Sequence, residues 1–194
     1  MLRAKVRPQS QSAFQEKPVK KIILTFGLIS GAISSLMMIA TVPFADRIGH
    51  SYVIGYATIV LSLLLVFFGV RSYRDNVAKG QITFGKAFLV GLAITVISCL
   101  CYVATWEIVY FNFMPDFMDK YGAQVIQKMQ AAGATAAAIQ QKSAEIDKLK
   151  VMYKNPVFNM AMTFIEPFPV GLVITLISAA FLRKKEPSQP AVAV

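Results

Sequence analysis

Four apolar runs constrain this chain more than anything else in it. They cover about 22–44, 52–70, 87–111 and 157–182, and together they hold only two charged side chains, Glu107 and Glu166. A helix needs roughly 20 apolar residues to cross a hydrocarbon core about 30 Å thick, so each run can cross a bilayer once. Lipid offers no hydrogen bonds to the backbone, and at these lengths a helix is the form that satisfies every N–H and C=O internally. The rest of the chain agrees. Of its 194 residues 56% are apolar, and the mean hydropathy is +0.55. The sequence predicts an all-α polytopic membrane protein with four transmembrane helices. These would form one domain over residues 20–185, with an arm at 1–19 and a tail at 186–194.

The net charge of +10 raises the question of nucleic acid, and its distribution answers it. Thirteen of the 20 Lys and Arg residues lie before span one, between spans two and three, or after span four. Such an excess on one side sets orientation, with the basic side cytoplasmic. Both termini are therefore expected in the cytoplasm of a multi-pass protein of the cell (inner) membrane. The partner implied is the lipid bilayer, not nucleic acid. Residues 1–19 are basic, rich in Gln and Ser and poor in large apolar side chains, which reads as a disordered arm.

Chemistry-bearing motifs are few. Cys99 and Cys101 are the only cysteines, and two apart on a helix they face different directions. His50 is the only histidine, so no metal set is expected. No HExxH, GxSxG, P-loop or paired-aspartate pattern occurs, which argues against an enzyme and against a cofactor.

Small residues four apart make flat stripes where helices approach closely. Span one carries Gly27, Gly31 and Ser35. Span three carries Ala87, Gly91, Thr95 and Cys99, and span four carries Gly171, Thr175 and Ala179. Packing within one subunit is the first expectation, and a homo-oligomer through Gly27 and Gly31 the second. The segments 90–98 and 170–178 match at seven of nine positions. A shared packing demand explains this better than an inverted transporter-like repeat, because the match does not extend outward.

Between spans two and three, Arg71 and Arg74 read as a tight basic cytoplasmic turn, able to reach phosphate or Asp75. Thr83 is a plausible N-cap for span three. Span three ends in Tyr102, Trp106, Tyr110, Phe111 and Phe113, an interfacial aromatic belt. Residues 114–155 are too polar to span. Their apolar positions recur at helical intervals and Gly133 interrupts them, which predicts an extracytoplasmic helical hairpin between helices three and four.

The two intramembrane carboxylates are the candidate functional groups. Glu107 lies about a turn from the end of span three and can reach water. Glu166 is deeper, beside Pro167 and Pro169, which remove backbone donors and free the carbonyls of Thr163 and Ile165. One reading makes Glu166 an ion, proton or substrate site at a broken helix. The other has it link spans through Thr95, Ser98 or Tyr102 and mark a static kink.

Several stretches together resemble the domain of unknown function 4199 family. They are Tyr73-Arg74-Asp75-Asn76, then Gly80, Ile82, Phe84, Lys86-Ala87-Phe88 and Gly91. Pro115-Asp116-Phe117 with Tyr121, Asn155-Pro156, Glu166 with Phe168 and Val170-Gly171, and Leu182-Arg183-Lys184-Lys185 follow the same pattern. The resemblance covers about 20–185. It implies a bacterial integral membrane protein with four spans, largely from Bacteroidota, and supplies no activity. Many members carry an acid just before the Gly-Tyr of span two. Here the stretch reads His50-Ser-Tyr-Val-Ile-Gly55-Tyr56, without one.

Two functions are then expected. The first is a non-enzymatic membrane-organising or partner-binding protein, with the outer hairpin as its contact surface. The alternative is a small oligomeric transporter or channel-like unit using Glu166 and Glu107.

Overall fold

The computed structural model describes residues 9–41 and 52–184. They form seven helices: α1 (Gln9–Thr41), α2 (Tyr52–Asn76), α3 (Phe84–Phe113), α4 (Phe117–Ala131), α5 (Ala136–Tyr153), α6 (Pro156–Ile165) and α7 (Pro167–Leu182). Four segments are long and apolar enough to cross a membrane: α1 from Pro18, α2 from Gly55, α3, and α6 with α7. The chain is an all-α membrane protein. Among the described residues the one strand-like pairing is an isolated antiparallel bridge between Ile82 and Lys184.

Several boundaries differ from the sequence reading. The arm expected to be disordered over 1–19 is helical over 9–19, and residues 1–8 lie outside the described residues. No Gly interrupts 9–19, and Pro18 is carried inside a helix already nucleated by the apolar run behind it. The second helix continues past residue 70 to Asn76, so Arg71 and Arg74 sit on its end and not in a turn. Both guanidinium groups converge on Asp75, Arg74 at 2.7 Å and Arg71 at 3.6 Å. The turn proper follows, with left-handed backbone at Lys79 and Gly80 (φ 53° and 82°). Thr83 caps α3 as expected, its side chain accepting from the Lys86 N–H at 3.4 Å. His50 and the rest of the loop before α2 lie outside the described residues.

The four spans close into a ring in which α1 packs on α2, α2 on α7, α7 on α3 and α3 on α1, and α2 and α3 also meet across it. The apolar core lies nearer the basic end, around Leu63, Val66, Val70, Ala87, Ile94 and Ala179. Ile82 plugs that end. Its side chain is buried, and its N–H and C=O pair with those of Lys184 at 3.2 and 3.0 Å. The outside is strongly apolar, with Leu36 68%, Leu61 66% and Phe181 80% exposed. In lipid, acyl chains cover that surface.

Small residues set the helix crossings. Gly27 and Gly31 lie against Ile97, Ile94 and Cys101 of α3. That stripe is taken up within the chain and is not open to a second copy. The repeated nonapeptides explain each other. A Cβ on Gly91 would meet the Thr175 methyl, and a Cβ on Gly171 would meet the Thr95 methyl. Between them the Thr95 and Thr175 hydroxyls are 3.1 Å apart. Two antiparallel helices thus present the same Gly-Thr pair to one another, which is the shared packing demand in physical form.

A second polar seam joins α1, α2 and α3. Ser30 donates to the Ser62 carbonyl at 2.8 Å, and its Oγ lies within hydrogen-bond distance of Ser98 Oγ at 2.9 Å. Ser34 donates to Ser62 Oγ at 2.7 Å, and Thr105 to Ser35 Oγ at 2.7 Å. Such bonds are worth about 0.6 kcal/mol each in membranes, and several of them fix the helix register.

The insertion over 114–155 is two helices. Gly133, at φ 72°, lies in the turn between them, and Thr135 caps α5. They run against each other, with Ile146 packed on Gly122 and Lys150 paired with Asp119.

Candidate functional site

The fourth span is built to break. Asn155 caps α6, its Oδ1 accepting the Val157 N–H at 2.9 Å, and Pro156 follows at the first helical position, where no N–H is needed. Eleven residues on, Pro167 again lacks the donor that would continue the ladder, and α6 ends at Ile165. Glu166 sits between, still near helical dihedrals at φ −67° and ψ −59°, so the chain bends without looping out. Pro169 does not make a second break. It lies in the first turn of α7, where a missing N–H is tolerated.

The break changes which helices the span touches. Below it, α7 packs on both α2 and α3. Above it, α6 packs on α3 and on α5. Glu166 marks the level at which the fourth span parts from α2. The Tyr102 hydroxyl donates to Glu166 Oε2 at 3.2 Å. Tyr56 of α2, 45% exposed, lies near Tyr102. Protein atoms crowd Glu166 on one side, yet the residue is exposed. Among the described residues this leaves a notch with one open side around Glu166, not a sealed site. Thr95 and Ser98, the other partners the sequence offered to Glu166, are bonded to Thr175 and Ser30 instead.

About two turns toward the aromatic end lies a polar group that the sequence alone does not single out. Asn159 is fully buried. Its Oδ1 accepts from Trp106 Nε1 at 2.9 Å and from Thr163 Oγ1 at 3.2 Å, and its Nδ2 donates to the Tyr153 carbonyl at 3.4 Å. An Asn inside a ten-residue apolar helix was the available signal, because lipid-buried amides need partners. Of the aromatics expected as a belt, Trp106 and Tyr110 pack beside it, while Tyr102 bonds Glu166 and Phe111 and Phe113 are exposed. Trp106 meets Phe117 at 4.8 Å and Tyr110 at 5.8 Å, and Tyr153 meets Phe158 at 5.8 Å. This cluster ties α4 and α5 to the bundle. Burial, and after it the Glu166 charge, raise the Tyr153 phenol above its ordinary value.

Glu107 stands apart from Glu166. It is five residues beyond Tyr102 on α3, about 8 Å along the helix. It is half-buried, and its Oε1 is enclosed without a hydrogen-bond partner among the described residues. Cys99 is buried and Cys101 half-buried, both as free thiols. Among the described residues no three His, Cys, Asp or Glu side chains gather into a metal-sized group.

Fold and site together define a four-span helical membrane protein whose last span is broken at a carboxylate. The chain belongs to the family described as "Protein of unknown function (DUF4199)", whose pattern matches residues 25–184. No curated protein and no solved structure matches it.

Proposed function

We propose that this chain is a non-enzymatic membrane protein that binds and organises a partner within the bilayer, at the notch around Glu166. It would sit in a bacterial inner membrane with its basic end in the cytoplasm and the α4–α5 pair outside. The observation that carries this reading is an exposed carboxylate at a break inside a membrane-crossing segment. Left against acyl chains, a charged acid costs roughly 3 kcal/mol on insertion scales. A partner that satisfies it removes that cost, and Tyr102 holds it ready for one.

A small oligomeric transporter or channel-like unit would use the same carboxylates. It is less well supported, because the hydroxyls along the bundle axis are bonded to one another. Such pairs suit helix packing better than a conducting path.

The test is a photo-crosslinking side chain at Ile165, beside the notch, with Phe181 on the lipid-facing surface as comparison. In native membranes, Ile165 should give protein adducts well in excess of Phe181, and Glu166→Gln should reduce them. Equal, lipid-only labelling at both positions would defeat the reading. Glu166-dependent solute flux in liposomes would favour the transporter.

A further inference from the structure

We infer that the occupant of the notch is a membrane-spanning helix of another protein that presents a Lys or Arg side chain at the level of Glu166. The inference rests on the partner-binding reading and names the partner's chemistry.

Charge complementarity is the first ground. Glu166 offers two acceptor oxygens, and among the described residues the donor it receives is the neutral hydroxyl of Tyr102. A basic side chain would complete the site with a charge-assisted hydrogen bond, the stronger kind. Depth is the second. Glu166 lies nine residues from Val157, roughly 13 Å along the fourth span at 1.5 Å per residue. A lipid amine belongs to the headgroup layer, outside the hydrocarbon core. A side chain on a spanning helix can be placed at this level directly.

The third ground separates a different protein from a second copy. Among the described residues this chain has no cation at that depth. The α3 helix carries only Lys86, near its start, and α6 and α7 carry none. The remaining Lys and Arg among the described residues lie at the basic end or in the insertion, and Arg47 lies outside the described residues. Two copies meeting at the notch would bring like groups together. The wall of the notch suits a helix. Ile165 is 59% exposed and Met162 37% exposed beside the carboxylate, an apolar surface with an adaptable thioether.

The experiment uses the purified full chain in phosphatidylcholine liposomes. The probes are synthetic leucine-rich membrane-spanning peptides, with either one Lys about ten residues from one end or Leu throughout. Energy transfer between labelled protein and labelled peptide reads association. The Lys peptide should bind at least tenfold more tightly than the Leu peptide. Glu166→Gln should abolish the difference without changing the protein's unfolding temperature. Ile165→Trp, which fills the mouth and leaves the carboxylate, should weaken binding of the Lys peptide. Glu166→Lys should reverse the preference toward a peptide carrying Glu.

Equal binding of the two peptides, or a preference that survives Glu166→Gln, would overturn the inference. So would Glu166-dependent energy transfer between copies of the chain, which would make the occupant a second copy. Loss of the preference when phosphatidylethanolamine replaces phosphatidylcholine would make it a lipid amine. Protein adducts at Ile165 with no peptide preference would leave partner binding standing and remove only the basic helix.

Discussion

Replacing Gly171 with Ala probes the crossing of α3 and α7 where it is tightest. A methyl there runs into the Thr95 methyl, with Thr95 Oγ1 at 3.3 Å and Cβ at 3.4 Å behind it. Thr95 is fully buried and β-branched, so it has little rotamer freedom with which to yield. Turning it away breaks its bond to Thr175. Overpacking of this kind costs about 1–3 kcal/mol and the membrane hydrogen bond about 0.6, so the expected loss is about 2–3 kcal/mol. Gly91→Ala meets Thr175 Cγ2 at 2.9 Å and two valine methyls at 3.2 and 3.3 Å. It should cost about 1–2 kcal/mol. Reversible unfolding in mixed detergent micelles measures both. Thr95→Ser removes the colliding methyl and keeps the hydroxyl, and in the Gly171→Ala background it should restore at least about 1 kcal/mol. Gly85→Ala, with nothing within 4 Å, should stay within about 0.5 kcal/mol of the parent. If Gly171→Ala were as stable as Gly85→Ala, or if Thr95→Ser gave no rescue, the reciprocal Gly-Thr crossing would be wrong.

Three further outcomes follow from the polar contacts. Asn159→Ala strands the Trp106 N–H in an apolar cluster and should cost about 1–3 kcal/mol, with a shift in the emission of the chain's one tryptophan. Ser30→Ala removes the junction of the α1–α2–α3 seam and should lower stability by about 0.6 to 1.7 kcal/mol in the same unfolding assay. The Asp119 hydrogen bond raises the Lys150 pKa above the usual lysine value, so the pair stabilises the folded state below that value and the effect fades as pH rises through the raised one. Amide protection in α4 and α5, taken relative to the base-catalysed intrinsic exchange rate, should therefore fall at high pH in the parent but much less so in Lys150→Ala.

What the sequence disclosed was what local physics decides. An uncharged run of some twenty residues has one stable form in lipid, so the four spans could be read directly. Thr83, Gly133 and Asn155-Pro156 were legible because caps and left-handed turns act over a few residues. The misreadings came from longer range. Arg71 and Arg74 were placed in a turn because charge interrupts hydropathy, yet helices readily carry charge past the membrane edge, and Asp75 gathers both guanidinium groups. The glycine stripes were visible, but which helix fills each one depends on the ring order, and that emerges only when four helices pack. Asn159 went unread for the same reason, since its partners Trp106 and the Tyr153 carbonyl come from other elements. Pro167 makes the break in the fourth span legible, and Glu166 stands at it. That its surface would lie open could not be read from spacing, because it follows from α6 parting from α2.

A spin label at Ile165 tests the central claim most directly, with its mobility compared in two settings. One is the purified protein in liposomes, and the other is patches of native membrane excised with an amphipathic polymer. An open notch that a partner fills predicts a mobile, oxygen-accessible label in the liposomes and an immobilised one in the native patches. Glu166→Gln should restore mobility in the patches. A label immobile in both settings would mean the notch is closed by the chain itself. A label equally mobile in both would mean that nothing docks there.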